Sequence, residues 1–303
     1  MLQQTRVAAV LPYYERFLER FPTVEALAEA PEEVLLTLWA GLGYYRRARL
    51  LGQAARQIVG RGAFPSDYAG IRALAGVGDY TAAAIASIAF GRPHAVLDGN
   101  TLRVLSRLFC DAGDIRAAAT RRRLAAYAAA LLAPRRPGEC NQAMMELGAT
   151  LCLPKNPRCS VCPVKAACEA RKQGTQNELP VKLGREEIRR EERILLLIER
   201  GSRLLMWRRP ANTAKLAGFW ELPEPAQAPG AERLEECGWF RHGITNHSYR
   251  IAVVRARLRR QPPGLTWVDQ DQLDRMPVST TARKALAVAT SQGGGRRDRG
   301  ALS

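Results

Sequence analysis

Leu74-Ala75-Gly76-Val77-Gly78-Asp79-Tyr80 opens the stretch that decides the reading of this chain. It continues through Thr81–Phe90 and ends, after a short break, on Val96-Leu97-Asp98-Gly99-Asn100. The two glycines make a tight turn, and the run behind them is helical, with Ile85, Ile88 and Ala89 spaced to face a core. Glycine tolerates positive φ and lets a backbone approach its ligand closely. N–H groups of such a turn, ahead of a helix N-terminus, seat a phosphate oxygen. Asp98 places one carboxylate in apolar company just before the next helix. Taken alone, both features are also those of an ordinary turn and an ordinary N-cap. The rest of the chain decides between the readings.

At 303 residues the chain is long enough for two domains. Its 46 Lys and Arg against 29 Asp and Glu give a formal net charge of +17. Only 6 of the 46 are lysines, a choice that codon use can make, but codon use does not create the excess of bases. Such an excess suits a polyphosphate partner, because each contacted phosphate releases counterions. No apolar run approaches the roughly 20 residues of a membrane span, and MLQQTRVAAV lacks the apolar core of a signal peptide. The expectation is a cytoplasmic protein without a membrane partner, nucleoid-associated if the source is bacterial. Its seven cysteines then read as metal ligands or buried thiols rather than disulfides.

Residues 1 to about 183 read as helix after helix. Val7, Leu11, Tyr14, Leu18 and Phe21 form one stripe, which Pro12 is expected to kink or split. Pro31-Glu32-Glu33 starts a helix carrying Val34, Leu35, Leu38 and Trp39. Gly41-Leu42-Gly43-Tyr44-Tyr45 then leads into an arginine-rich helix with Arg46, Arg47 and Arg49. An aromatic presented beside clustered arginines suits wedging between bases, with burial of the tyrosines as the plain alternative. Helices are also expected from Asp98 to Cys110 and across Thr120–Leu132. Residues 173–192 are polar and highly charged and read as a linker. Beyond them Ile194–Ile198, Leu204–Trp207, Phe219–Leu222, Ile251–Leu258 and Leu265–Val268 are short apolar runs of strand type, closed by a helix over Thr281–Ala289. The domains are therefore placed at 1–172 and 193–290, with a disordered glycine-rich tail at 291–303.

Cys152, Cys159, Cys162 and Cys168 follow C-x6-C-x2-C-x5-C. Four thiolates at this density suit a tetrahedral metal site or an iron–sulfur cube. Zinc ribbons present two close C-x-x-C pairs and this run has one, so the wider loops favour a [4Fe–4S] cluster. Cys110, Cys140 and Cys237 stand apart and read as core thiols.

These features together resemble the MutY-type adenine DNA glycosylases, within the helix–hairpin–helix superfamily that includes endonuclease III. The likeness rests on Met1-Leu2-Gln3-Gln4-Thr5, Gly41–Tyr45, the hairpin at Leu74–Gly78, Leu97–Asn100, Asn141-Gln142-Ala143-Met144-Met145 and the cysteine spacing. The resemblance implies an all-helical glycosylase domain with its cluster loop at 152–168, followed by a Nudix-like α+β domain. It implies a monomeric enzyme that binds double-stranded DNA, flips out adenine mispaired with 8-oxoguanine and hydrolyses its glycosidic bond. On that resemblance Asp98 stabilises the oxocarbenium-like sugar, Asn100 helps position the nucleophile, and Gly76 and Gly78 hold the backbone. Gln142 reads the adenine edge, Gln4 and Tyr44 intrude into the base stack, and Gln3 is a further DNA-binding candidate. Bifunctional relatives carry a Schiff-base lysine two residues after the hairpin; here Tyr80 stands there, which implies a monofunctional enzyme.

In the second domain Arg208-Arg209-Pro210 and Gly218–Pro223 carry the Nudix-like resemblance. Glu232, Glu235, Glu236 and Gly238 look like a remnant of the metal-binding Nudix helix, and with Ala231 in place of its arginine no pyrophosphatase is expected. The stretch His242–His247 corresponds to the family's 8-oxoguanine loop, with Thr245, Asn246 and His247 as candidate contacts. His94 reads as a satisfied structural histidine. The family's general acid is a glutamate two residues before the position of Met1, so the 303-residue sequence is expected to be poorly active as it stands. Competing readings are a non-catalytic mismatch-binding protein, a thymine-mismatch glycosylase, against which the second domain speaks, and, more distantly, a redox protein.

Overall fold

The computed structural model describes residues 1–3, 5, 7–184, 187–213, 216–244 and 246–293, with backbone alone for the last two. Helices come first: α1 (Val7–Arg20), α2 (Val24–Ala28), α3 (Glu32–Trp39), α4 (Arg46–Arg61), α5 (Tyr68–Arg72), α6 (Asp79–Phe90), α7 (Gly99–Leu108), α8 (Ala118–Leu131), α9 (Pro137–Thr150) and α10 (Glu169–Lys172). The strands follow: β1 (Arg189–Leu197), β2 (Glu199–Arg200), β3 (Arg203–Arg208), β4 (Trp220–Glu221), β5 (Glu232–Ile244), β6 (His247–Arg257) and β7 (Leu265–Asp269), with α11 (Thr280–Gly293) closing the chain. The helical first part and α+β second part expected from the sequence are both present. None of the described helices is long and apolar enough to cross a membrane.

Two compact units emerge, Met1–Arg56 with Glu186–Ser303, and Gln57–Arg185, the division falling within α4. In the first, β1 runs parallel to β6 and β5 pairs antiparallel with β6, giving the order β1-β6-β5. A second sheet carries β2, β3 and β4, with β7 on the free side of β3. Leu195, Leu197, Leu204, Met206, Ile251 and Val253 alternate inward from these strands and pack with Ala282 and Ala285 of α11. The N-terminal helices have their own core of Val10, Phe17, Phe21, Leu35, Leu36 and Trp39, and Phe219 from the sheet half is buried within it. Tyr45 packs on Phe219 at 4.1 Å between ring centroids, and Arg49 donates to the Ala217 carbonyl.

Several expectations change here. The α1 stripe is the other one: Val10 and Phe17 are buried, while Val7, Leu11, Tyr14 and Leu18 are exposed. The helix runs unbroken through Pro12; the penalty of an internal proline is a lost bond and a clash that burial of the neighbouring turns can offset. In α6 the buried positions are Ala82, Ala83, Ala86 and Ser87, so small residues face the core, while Ile88 and Ala89 are exposed. Glu232, Glu235, Glu236 and Gly238 lie on a strand, not on a remnant Nudix helix: β5 pairs with β6 through two register shifts, and Glu235 binds Arg255 at 2.7 Å. The E-x-x-E-E pattern looks helical, but the cross-strand arginine satisfies it in extended form. Cys237 is a core thiol, whereas Cys110 and Cys140 are only half-buried. Residues 173–192 are in part packed: Leu179 is buried, Val181 accepts from the Ile115 amide, and β1 begins at Arg189. Of the 291–303 tail, residues 294–303 lie outside the described residues.

Candidate functional site

In the unit Gln57–Arg185, α5 and α6 form a helical hairpin. Asp67 caps α5 through Gly70 N–H at 2.8 Å, and Gly76 turns the chain with φ 76°. Gly78 is the N-cap of α6 and offers no side-chain acceptor to the helix start. Arg72 braces the turn, donating to Asp79 at 2.6 Å and to the Val77 carbonyl at 2.9 Å.

Asp98 is the N-cap of α7. Its Oδ1 accepts from Thr101 N–H at 2.7 Å, and Thr101 Oγ1 receives the Asp98 N–H at 2.6 Å. The carboxylate is therefore oriented by one oxygen, while Oδ2 takes no hydrogen bond among the described residues. Tyr80, on the first turn of α6, is close enough that the Asp98 charge, after burial, raises its phenol pKa; the phenol is a neutral donor at ordinary pH. Its hydroxyl lies 3.6 Å from Met145 Sδ on α9. Gln142, three residues before, is exposed on the same helix and donates back to the Gly138 carbonyl at 3.3 Å. α9 approaches both neighbours at glycines: a Cβ on Gly138 would lie 2.8 Å from Ser87 O, and one on Gly148 2.7 Å from Asn100 Cβ.

Three site residues escaped the sequence reading. Asn141, buried beside Gln142, accepts from Val96 N–H at 3.0 Å and donates to Ser87 Oγ at 2.9 Å and His94 O at 2.8 Å. It pins the extended segment that delivers Asp98. His94 is otherwise stacked on Tyr68 at 4.5 Å, as a structural histidine. Arg103, buried on α7, donates to Asn100 Oδ1 at 2.9 Å, Gly148 O at 2.7 Å and Cys152 O at 2.7 Å. Burial lowers its pKa, and the neighbouring Cys152 and Asp98 oppose that shift. Arg107, one turn on, donates to Leu179 O, Leu153 O and Pro154 O and lies 3.2 Å from Cys152 Sγ. The signal was there: two arginines four residues apart on a helix otherwise apolar on that side must find acceptors when buried.

Cys152, Cys159, Cys162 and Cys168 line one hollow with Arg107, Leu147 and Val164. Burial pushes the Cys159 thiol pKa up, and the other three cysteines add to the shift. Among the described residues no three His, Cys, Asp or Glu side chains are placed to hold a single ion. Lys155, Arg158 and Lys165 between the four cysteines are exposed, and Lys165 Nζ donates to the Ser160 carbonyl at 2.8 Å.

The remaining candidates belong to the other unit. Tyr44 stands exposed at the Gly43 turn with φ 49°, a rare conformation for a bulky residue, whereas Tyr45 is committed to the core. Gln3 is exposed, and Arg47 donates to its carbonyl. Gln4 and Thr245 lie outside the described residues. Asn246 immediately precedes β6, which His247 opens opposite Ile244; the Asn246 carbonyl accepts from Arg189 N–H at 2.9 Å, and His247 Nδ1 pairs with Glu191 at 2.7 Å.

A helical hairpin, a capped aspartate and a four-cysteine hollow define a base-excision class of protein, and residues 1–129 match the HhH-GPD superfamily base excision DNA repair proteins. The chain is 33% identical to the adenine DNA glycosylase of Homo sapiens over 96% of its own length and 67% of the human protein. It is 38% identical to that of Arabidopsis thaliana over 74% of this chain and 41% of the plant protein. It belongs to the adenine DNA glycosylase family. A thermostable thymine-DNA glycosylase structure shares the helical fold, with a TM-score of 0.51 and 25% identity over 57% of this chain and 80% of that one.

Proposed function

We propose that this chain hydrolyses the N-glycosidic bond of adenine mispaired with 8-oxoguanine or guanine in double-stranded DNA, without a lyase step. The observation that carries the reading is Asp98, fixed by its capping bond through Oδ1 with Oδ2 unclaimed. A flipped nucleotide beside it would develop positive charge at C1′, and an oriented carboxylate stabilises that charge at little reorganisation cost. Asn100, its Oδ1 held by Arg103, keeps its amide N–H groups for the attacking water. Tyr80, where a lyase needs an amine, supplies only a neutral hydroxyl. The hairpin glycines seat a phosphate, Gln142 lies on the helix facing the flipped base, and the β5–β6 turn supports recognition of the oxidised partner base.

The cysteine hollow fits a [4Fe–4S] cluster, because all four cysteines line it and an arginine already sits against the Cys152 sulfur. When bound, the cluster supplies four iron–thiolate bonds that cross-link a loop containing only one short 3-10 turn at Cys159–Val161.

The test uses duplexes in which a cationic pyrrolidine or a neutral tetrahydrofuran replaces the sugar opposite 8-oxoguanine. Asp98→Asn keeps the cap and removes the charge. It is expected to weaken binding of the cationic duplex by roughly 10²-fold and to leave the neutral one unchanged; on a further duplex with a natural abasic site, whose aldehyde can form a Schiff base, borohydride is expected to trap no adduct with either protein. Equal loss on both duplexes, or a trapped adduct, refutes the reading.

A further inference from the structure

Two elements assigned above to DNA, the segment around Gln3 and the Tyr44 turn, meet at one side chain. Arg47, on the first turn of α4, directs Nη1 to the carbonyls of Met1, at 2.7 Å, and of Gln3. Its Nη2 donates to Thr5 Oγ1 at 3.1 Å and to the Gly43 carbonyl at 3.2 Å. The guanidinium also lies 5.5 Å from the ring centroids of both Trp39 and Tyr44. Trp39 is buried and itself donates to the Gly43 carbonyl at 3.2 Å, so the platform beneath the arginine is rigid. Tyr44 is exposed and held at positive φ. Such a conformation persists only where its surroundings over-determine it. Four acceptors spread over two segments and two aromatic faces suit a planar fork and not an ammonium, which is a point charge with three rotatable donors.

We propose that Arg47 is a positioning residue that ties Met1, Gln3 and Thr5 to the Tyr44 wedge, so that the two segments approach the duplex together at a mispair. This rests on the reading that Tyr44 enters the base stack. Arg47 then acts through its neighbours and not by touching a phosphate: its Nη1 and Nη2 donors are consumed inside the protein, and its Nε is buried away from solvent. Loss of the fork lets segment and wedge move independently. What fails is discrimination of the mispair, not general DNA affinity.

The experiment compares the full chain with Arg47→Lys, Tyr44→Ala and the double variant. The probes are a duplex with 2′-fluoro-2′-deoxyadenosine opposite 8-oxoguanine and its fully paired counterpart, with 2-aminopurine beside the mispair reporting unstacking. Arg47→Lys keeps the charge, so paired-duplex affinity is expected to hold. Preference for the mispair is expected to fall about 10-fold, the scale of losing charge-assisted hydrogen bonds, and the 2-aminopurine signal to drop. The losses from Arg47→Lys and Tyr44→Ala should combine to less than their product. Should Arg47→Lys melt early, Thr5→Val, which removes one acceptor, takes its place with a loss of about 3-fold expected on the same scale. Unchanged preference in the Arg47→Lys or Thr5→Val protein, or losses that multiply in full, overturns the proposal. If Tyr44→Ala alone leaves preference and signal intact, the wedge reading fails and the proposal with it; a Tyr44 effect with multiplying losses removes the Arg47 inference alone.

Discussion

Asn141→Ala gives the sharpest test of how the catalytic segment is held. Asn141 is 5% exposed and its three partners come from two other segments: Val96 N–H and His94 O from the extended segment entering Asp98, and Ser87 Oγ from α6. Ser87 retains a bond to Ala83 O at 2.7 Å, so its loss is small. Val96 N–H and His94 O are left without that partner, each at about 1–3 kcal/mol when unsatisfied. Water entering the vacated amide space recovers part of this, leaving a net cost of about 2–4 kcal/mol. For a cooperative unit of this size that lowers the melting temperature by roughly 8–15 °C. Asn141→Asp is isosteric but cannot donate to His94 O and buries a charge, so it should be no better than alanine. Because the freed segment ends at Asp98, affinity for the cationic pyrrolidine duplex should fall about 10-fold or more even well below the melting point, since small misplacements at the reacting centre are costly. Calorimetry and a binding titration suffice. An Asn141→Ala protein that melts within about 2 °C of the parent, on the scale of a satisfied surface substitution, and binds the analogue equally well would show that Asn141 merely fills space.

Other outcomes follow from the same geometry. Cys168→Ser should lower bound iron and expose the 152–168 loop to limited proteolysis, since four-point ligation is what orders it; stoichiometric zinc in the parent protein would refute the cluster assignment. His242, half-buried and facing Lys284, has its pKa lowered, first by burial and then by that lysine. Its folded pKa lies below the unfolded 6.5, so the unfolded chain binds the proton more readily. Stability from this group is complete above about pH 6.5 and declines as pH falls towards the folded pKa. His242→Gln should flatten that part of the acid limb in a pH series of thermal melts; an unchanged slope would assign it to other groups.

Some of this was legible in the sequence because the information is local. Gly76 and Gly78 ahead of an apolar run specify the hairpin, Asp98 before Gly99 specifies a capped helix, and the cysteine spacing specifies a loop that brings four thiols to one hollow. The change of period at Ile194 likewise marks the strands, although β1 begins earlier, at Arg189. The other decisions need partners distant in sequence. α1 carries two apolar stripes, and only packing against α3 and Phe219 decided that Val10 and Phe17 go inward while Val7, Leu11 and Tyr14 stay out. Periodicity reports a helix but not which side meets the core. β5 was hidden because its outward glutamates match a helical pattern until β6 supplies arginines opposite them. Arg47, Arg103, Arg107 and Asn141 read as ordinary polar residues along the chain. Their roles come from burial: a buried donor must find an acceptor, and theirs are main-chain carbonyls, side chains and a cysteine sulfur that only the folded chain brings within reach.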